Sequence, residues 1–404
     1  MSTHSERAAG LEPRHFADPT EMISTLAAQA RASGGLALDT EFMGEGRYRT
    51  LLCLVQLAVA DATEGLRIEL LDPLREDVDA APLAAVLADP AVEVVVHAGR
   101  QDIALIRRRF ATEVCCVFDT QIAAGFAGMA AQTSYETLLA ELLGVRVSKS
   151  ASFTRWDARP LSREQLAYAR EDVVHLLELA GELQRRLAAR GRLEWARQEC
   201  AALERSSDER DLQAIFERLP RIRGLSAISQ GIASELVQWR ERTAASLDRP
   251  VQGILSDAVL VEIAKRKPTN AKAFEQIRGV AQSSLRRRTA QVLDAVNAGA
   301  ERPHEPLQPR ARSATPDPID APLVALCEAL VRARAREAEL AYELIAARAD
   351  LQAVVAAARA DEHEPDVRTL QGWRREVVGA ELLELLDGRL SLSVKRGALQ
   401  VDAP

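Results

Sequence analysis

The sequence lacks the features of membrane-bound and secreted proteins. None of its apolar runs approaches the roughly eighteen residues that a membrane span needs, and its N-terminus is polar, without a secretory apolar stretch. Its five cysteines are odd in number and show no C-x-x-C spacing, which disfavours a disulfide framework. We therefore expect reduced cysteines and a cytoplasmic protein with no membrane association.

An excess of positive charge is also missing, since the formal net charge is −7. That value argues against a protein that coats nucleic acids, but local binding depends on how the charges are distributed. Residues 240–294 hold eleven Lys/Arg against six Asp/Glu, so this part remains a candidate for nucleic-acid contact. With 404 residues, 47% hydrophobic and 27% charged, the chain fits a soluble globular protein of two or three domains.

Segment patterns change along the chain. Residues 1–15 are expected to form a disordered tail, and strand and helix patterns alternate from there to about residue 190, within a first domain expected to span residues 16–210. Residues 211–297 read as short helices broken by proline and glycine, 298–320 are proline-rich as in a linker, and 321–404 again look helical. No strand is expected after about residue 210. The predicted fold is an α/β domain with its sheet covered on both faces, followed by two small all-α domains.

Within the α/β part, individual elements can be placed. The predicted strands are Leu36–Asp39, Leu51–Ala60, Leu66–Leu71, Val92–His97 and Val114–Phe118. The predicted helices are Pro19–Ala32, Ala81–Ala88, Arg100–Phe110, Ser134–Leu143 and Ser162–Ala189. The last helix begins with a capping-box pattern, in which Ser162 is followed three residues later by Gln165.

The first predicted strand ends in two carboxylates, Asp39 and Glu41, separated by Thr40. Because side chains alternate along a strand, Asp39 and Glu41 face one side and Thr40 faces the other. Two carboxylates side by side repel each other and are costly to desolvate, so they usually need a cation between them. This geometry suits a hard divalent metal, and the alternative is a solvated strand end.

Two later acids complete the pattern. Asp102 follows the strand ending at His97 and falls in the first turn of a helix, where an acid is also favourable with the helix dipole. Tyr168 and Asp172 are four residues apart on a helix and therefore share a face, although such pairs also occur as surface hydrogen bonds. His97 stands at the end of a strand, five residues before Asp102, and we interpret it as a structural histidine.

The order D-x-E, Asp, then Y-x-x-x-D resembles the exonuclease superfamily named after its four acidic residues, in its tyrosine branch. More closely, the chain resembles the ribonuclease D family, which implies a ribonuclease-H-like exonuclease domain with a mixed sheet flanked by helices. The residues that carry this resemblance are Leu36–Phe42, Leu54–Leu57, Phe118–Gln121 with Ala123-Ala124, Trp156–Leu161 and Tyr168–Asp172.

The helical part resembles the HRDC module, a nucleic-acid-binding unit. The resemblance lies in Trp239–Glu241, Leu247–Pro250, Ile254–Asp257, Ile263-Ala264, Lys267-Pro268 and Ile277–Val280. The final segment, with Glu339–Ala341, Leu370–Arg375 and Gly379, looks like a second, more divergent copy. We interpret Trp239 and Trp373 as core residues. The runs Lys265–Lys267 and Arg286–Arg288 are interpreted as RNA-phosphate contacts, and the alternative is that each is a solvated face.

The resemblance implies a 3′–5′ exoribonuclease that uses two divalent cations, Mg²⁺ or Mn²⁺, to release 5′-nucleotides from RNA 3′ ends. By family, the expected task is tRNA 3′ maturation, with tRNA precursors as partners. Asp39, Glu41 and Asp172 would hold the first metal, Asp39 and Asp102 the second, and Tyr168 would orient water.

Two alternatives remain: a 3′–5′ exonuclease acting on DNA, and a non-catalytic RNA-binding protein. Nothing in the sequence resembles a dimerisation heptad, so a monomer is expected.

Overall fold

The computed structural model describes residues 19–62, 65–147, 155–280, 284–302, 305–307, 320–360 and 363–402. These residues fall into two compact units. One lies within Met1–Glu41, Leu52–Ser207 and Pro316–Pro404, and the other within Phe42–Leu51 and Asp208–Thr315. Among the described helices, none is long and apolar enough to cross a lipid bilayer. The predicted tail, residues 1–15, lies outside the described residues.

The first unit is built on a five-stranded sheet in the order β3-β2-β1-β4-β5. Strands β1, β4 and β5 run parallel, and β2 pairs antiparallel with β3, so the sheet is mixed as predicted. The strands are β1 Gly35–Met43, β2 Leu51–Asp61, β3 Gly65–Leu71, β4 Glu93–Val96 and β5 Val117–Asp119.

Helices cover both faces of this sheet. The helices before, between and after the strands are α1 Pro19–Ser33, α2 Ala81–Leu87, α3 Arg100–Phe110, α4 Thr120–Phe126, α5 Tyr135–Leu138, α6 Arg163–Val174, α7 Leu176–Ala189 and α8 Leu193–Ala201. On one face, Leu36 and Leu38 join a core with α1, α2 and α3. On the other face, Ala37 and Val95 join a core with α4, α7 and the C-terminal helices. The predicted covering of the sheet on both faces is therefore confirmed.

The predicted helix Ser162–Ala189 is interrupted. Its first part, α6, starts with the predicted capping box, in which Gln165 N donates to Ser162 Oγ and Ser162 N donates to Gln165 Oε1. The helix breaks at His175, which has φ −109° and ψ 1°. The break follows Val173 and Val174, two β-branched residues that are stiff at χ1 and lower helix propensity.

The second unit is helical. Its helices are α9 Leu212–Glu217, α10 Ala227–Leu247, α11 Val251–Ile254, α12 Asp257–Arg266, α13 Ala271–Glu275 and α14 Thr289–Glu301. Helix α10 packs along α14, and Gly299 allows the close approach, because a Cβ there would lie 2.5 Å from the Ile232 Cα. Trp239 is buried in this core, as predicted. Helix α14 runs into the predicted linker 298–320, most of which lies outside the described residues.

The C-terminal part of the first unit contains α15 Asp320–Glu337, α16 Tyr342–Ile345, α17 Arg348–Ala360, α18 Gly372–Arg374 and α19 Ala380–Leu386. It shares a core with the sheet-covering helices. Trp373 stacks on Trp195 at 5.4 Å between ring centroids and meets the edge of Phe126 at 5.0 Å, as expected for a core residue. Arg374 also forms an ion pair with Glu199 at 2.6 Å.

The expectation of no strand after about residue 210 is wrong. Two antiparallel strands, β6 Ser391–Lys395 and β7 Ala398–Asp402, form a hairpin. Their two-residue turn, Arg396-Gly397, has positive φ at both positions (53° and 77°), which is the turn geometry that matches the twist of a hairpin. Apolar alternation through Leu392 and Val394 is the sequence signal that was missed.

Candidate active site

Strand β1 carries the first two acids. Asp39 and Glu41 alternate with Thr40 along the strand, and they continue the face of Ala37, whereas Thr40 continues the face of Leu38. Both acidic side chains are half-buried, while Thr40 is buried. The predicted placement of the two carboxylates on one side of the strand is therefore confirmed.

The third acid, Asp102, lies in the first turn of α3 and is buried. Its Oδ1 accepts a hydrogen bond from Thr40 Oγ1. Thr40, the residue between the first two acids, therefore fixes Asp102 to the strand that carries them. An acid kept only for the helix dipole would not need this buried partner.

The turn that leads from β4 into α3 is held by Asp119. The two oxygens of this buried carboxylate accept hydrogen bonds from Ala98 N (3.1 Å) and Gly99 N (2.9 Å). Ala98 has a positive φ of 54°, and a Cβ at Gly99 would come within 2.5 Å of the Val96 side chain. Asp119 thus positions α3, and with it Asp102, by satisfying N–H groups of an otherwise strained turn.

The fourth acid, Asp172, lies one turn after Tyr168 on α6. The Tyr168 side chain hydrogen-bonds the Asp172 carboxyl group, so the predicted common face of these two residues is confirmed. The Tyr168 ring also lies 6.0 Å from the ring of Trp156. Asp172 Oδ2 is buried and has no hydrogen-bond partner among the described residues.

Arg159 anchors the segment that precedes α6. Its Nε and Nη2 donate to both oxygens of Asp72 at 2.6 and 2.7 Å, and Nη2 also donates to the Cys53 carbonyl on β2 at 2.7 Å. Its Nη1 donates to the Trp156 carbonyl at 2.7 Å. A bidentate arginine–carboxylate pair gives a fixed geometry, so Arg159 ties the start of α6 to the sheet.

The four acids form one electrostatically coupled cluster. Burial raises the pKa of Asp39 well above its usual range, and the charges of Asp102, Asp172 and Glu41 raise it further. Burial and the charges of Asp172 and Asp102 raise the pKa of Glu41 to about 8. Burial is also the largest cause of the raised pKa of Asp172, about 7, and of Asp102, about 6.

The donor chemistry of this cluster fits hard divalent cations. All four groups are carboxylates, the donors that Mg²⁺ and Mn²⁺ prefer, and their mutual repulsion is of the kind that a cation relieves. In the described part of the chain, however, no three His, Cys, Asp or Glu side chains stand in an arrangement that could hold a metal ion as they are. A cation would therefore have to draw these side chains together, and the unpartnered Oδ2 of Asp172 is a donor that can turn towards it.

Two further rings, those of Tyr135 and His97, lie near the carboxylate cluster. Tyr135 was not predicted as a site residue. Burial raises the pKa of Tyr135, and the nearby charges of Asp172 and Asp39 raise it further. Tyr135 therefore lies near these two acids. Its ring lies 5.6 Å from that of His97. His97 Nδ1 lies 2.9 Å from Thr120 Oγ1, which donates to the Val96 carbonyl, so Nδ1 is the donor to Thr120. The interpretation of His97 as structural is consistent with this contact.

Comparisons with known proteins agree with this geometry. Residues 15–188 match the family model described as 3′-5′ exonuclease, and residues 229–296 match the HRDC domain model. The fold and site thus define a 3′–5′ exonuclease domain joined to an HRDC domain.

Curated relatives narrow the class. The chain is 38% identical to ribonuclease D of Gluconacetobacter diazotrophicus, over 94% of this chain and 95% of that one. It is 37% identical to ribonuclease D of Granulibacter bethesdensis, with the same coverage of 94% and 95%. It also resembles the crystal structure of Escherichia coli RNase D, with a TM-score of 0.75 and 26% identity over 92% of this chain and 98% of that one. The chain belongs to the ribonuclease D family and is an exoribonuclease, which confirms the resemblance found in the sequence.

Proposed function

We propose that this exoribonuclease releases 5′-nucleotides one at a time from RNA 3′ ends with the help of two divalent cations, Mg²⁺ or Mn²⁺. The observation that carries the proposal is the cluster of Asp39, Glu41, Asp102 and Asp172, whose raised pKa values reflect carboxylates gathered in a partly buried place. Such a cluster is unfavourable for folding and is expected where charge is used in a reaction.

The residues would divide the work as follows. Asp39, Glu41 and Asp172 would hold the first cation. Asp39 and Asp102 would hold the second cation, with Asp102 contacting it through water. When bound, the two cations supply an activated nucleophile and neutralise charge on the leaving oxygen. Tyr168 is held by its contact with Asp172, and the lone pairs of its phenol oxygen can orient the attacking water.

We propose tRNA precursors as the physiological RNA. The E. coli relative is described as an exoribonuclease involved in structured RNA processing, and a tRNA precursor is a structured RNA with a 3′ extension. The exonuclease domain would span residues 16–210, and HRDC-like domains 211–297 and 321–404 would bind the body of the RNA on either side of a linker, 298–320. We further propose that the enzyme acts as a monomer in the cytoplasm.

The test is a time course of 5′-labelled single-stranded RNA with Mg²⁺ or Mn²⁺, for the wild type and Asp39→Ala. The expected result is a ladder that shortens from the 3′ end and is absent with EDTA and in the variant. The matched control is Asp77→Ala, which removes an exposed carboxylate paired with Arg75 outside the cluster and should leave the ladder unchanged.

Two other results would contradict the proposal. If the wild type binds RNA but leaves it intact with either metal, the chain acts as a binding protein. If a matched DNA strand is degraded much faster than RNA, DNA is the substrate.

A further inference from the structure

The helical unit contains a cavity of about 560 Å³ that lies apart from the carboxylate cluster in sequence. Helix α10 supplies Leu247 at its last residue, the following turn supplies Arg249, and α11 supplies Gly253 and Ile254. The other wall comes from Arg287 and Arg288, in the short helical turn that precedes α14, and from Gln291 in the first turn of α14. This volume falls within the range of sites that bind small organic molecules.

The charges around the cavity have one sign. Arg249, Arg287 and Arg288 line it, and no acidic residue does. In the described part of the chain, none of these three guanidinium groups forms an ion pair with a carboxylate. Three like charges around one space repel each other, and an anion in that space would relieve the repulsion.

The neighbouring arginine behaves differently. Arg286 belongs to the same run in sequence, but its guanidinium group contacts Glu275, with Nη2 at 3.1 Å from Oε1. In the other basic run, Arg266 pairs with Glu262 at 2.5 Å. The two runs that were predicted to contact RNA are therefore not uniform. Within the run Arg286–Arg288, the two arginines that have no acidic partner among the described residues, Arg287 and Arg288, are the ones that line the cavity.

The remaining lining is suited to more than a phosphate group. Leu247 is 42% exposed although it is a large apolar residue, and it lines the cavity together with the buried Ile254. Gln291 offers an amide with both donors and acceptors. A Cβ placed at Gly253 would meet no atom within 4 Å, so the space beside this residue is open. The apolar surface could contact the face of a base, the amide could bond to the edge of the base, and the arginines could bind its phosphate.

We propose that this cavity, lined by Leu247, Arg249, Gly253, Arg287, Arg288 and Gln291, binds one phosphate-bearing nucleotide of single-stranded RNA. The proposal rests on the proposed RNA substrate, and it assigns to the helical unit a defined nucleotide site in place of a diffuse basic surface. The arginines contact the backbone phosphates, and the base lies against Leu247.

The test measures binding of the full-length protein to a short 5′-fluorescein-labelled single-stranded RNA in EDTA, by fluorescence anisotropy at several salt concentrations. The double variant Arg249→Ala/Arg287→Ala should bind about tenfold more weakly, and the slope of log affinity against log salt should fall by about 1.4, from about 0.7 per phosphate contact. Arg286→Ala removes one positive charge from the same run outside the cavity, and should leave the affinity within about twofold.

The variant Gly253→Leu distinguishes binding of RNA inside the cavity from general electrostatic attraction to the basic surface. It changes no charge, its side chain would occupy the open space, and leucine favours the helix that contains it. The expected result is a loss of RNA affinity of about tenfold, with circular dichroism and thermal unfolding unchanged.

Three outcomes would overturn the proposal. Arg286→Ala could weaken binding as much as the double variant does, which would indicate diffuse electrostatics. Gly253→Leu could bind RNA normally while folded. Fluorescent AMP could bind in an arginine-dependent way while RNA binding is unaffected by the variants, which would assign the cavity to a free nucleotide. The binding assay in EDTA does not depend on cleavage, so the two proposals can fail separately. If the RNA binds in EDTA as expected but is not degraded when metal is added, the proposed function is contradicted and the proposed nucleotide site is not.

Discussion

Replacing Asp172 by asparagine should remove catalysis and, without metal, stabilise the fold. Burial raises the pKa of Asp172 from its usual 3.8 to about 7. The folded protein therefore keeps a proton that the unfolded chain has lost between these pH values. Stability consequently falls as the pH rises from about 4 to about 7, by at most about 1.4 kcal/mol per pH unit. Asparagine keeps the volume and an oxygen that Tyr168 can contact, but carries no charge to desolvate.

The structure gives a magnitude. Three pH units correspond to an upper limit of about 4 kcal/mol at pH 8. Because Asp39 and Glu41 share the repulsion and can also take up protons, we expect about half of this value. For a folded unit of this size, about 2 kcal/mol corresponds to a rise in Tm of about 4–8 °C.

The assay is thermal unfolding of the wild type and Asp172→Asn in EDTA, at about pH 5 and about pH 8, and then with excess Mg²⁺. The stabilisation should grow between these pH values. Mg²⁺ should stabilise the wild type more than the variant, because the variant has lost a proposed ligand. Asp77→Asn, at an exposed carboxylate, should show no pH-dependent gain. A difference that is the same at both pH values, or a variant less stable at both, would refute the reasoning.

Three further predictions concern the carboxylate cluster, the turn before α3 and the core around Trp373. The apparent affinity for Mg²⁺ should rise between about pH 6 and about pH 8, because protons on Asp102, Asp172 and Glu41 compete with the cation, and a flat calorimetric profile would contradict this. Asp119→Ala should destabilise the protein by about 1–3 kcal/mol and lower kcat more than RNA affinity, because the turn before α3 loses its acceptors; an unchanged kcat in the folded variant would count against this role. Trp373→Ala should cost about 3–5 kcal/mol in urea unfolding, since it removes a stacked ring from the core of the first unit, and a cost below about 1 kcal/mol would show that the packing is not tight.

The parts of the site that follow from local periodicity could be predicted from the sequence. The alternation along a strand places Asp39 and Glu41 on one side, and the helical repeat pairs Tyr168 with Asp172, whatever the rest of the fold does. The capping box at Ser162 is local as well. In each case the relevant contacts join residues fewer than five positions apart.

The residues that were missed act through contacts distant in sequence. Asp119 holds a turn about twenty residues earlier, Arg159 binds Asp72 and the Cys53 carbonyl, and Tyr135 approaches the acids from a short helix. No spacing rule connects such residues, because the sheet order brings them together only after folding. The hairpin that was not predicted is different, because its Arg396-Gly397 turn and flanking strands are adjacent in sequence. Its signal was local and could have been recognised.

The supporting contacts explain why the four acids lie near each other but do not already form a metal-binding arrangement. Thr40 and Asp119 fix the backbone and side chain of Asp102, and Arg159 fixes the start of α6, so the supporting contacts hold the scaffold rather than all four carboxylates. Burial is the largest cause of the raised pKa of Asp39 and of Glu41, and repulsion from the other carboxylates adds to it, so separation is favoured when these groups carry charge. A bound cation would relieve both the cost of burying these charges and the repulsion between them. It follows that variants of the scaffold residues should weaken metal binding and catalysis while the neutralised cluster, as in Asp172→Asn, gains stability.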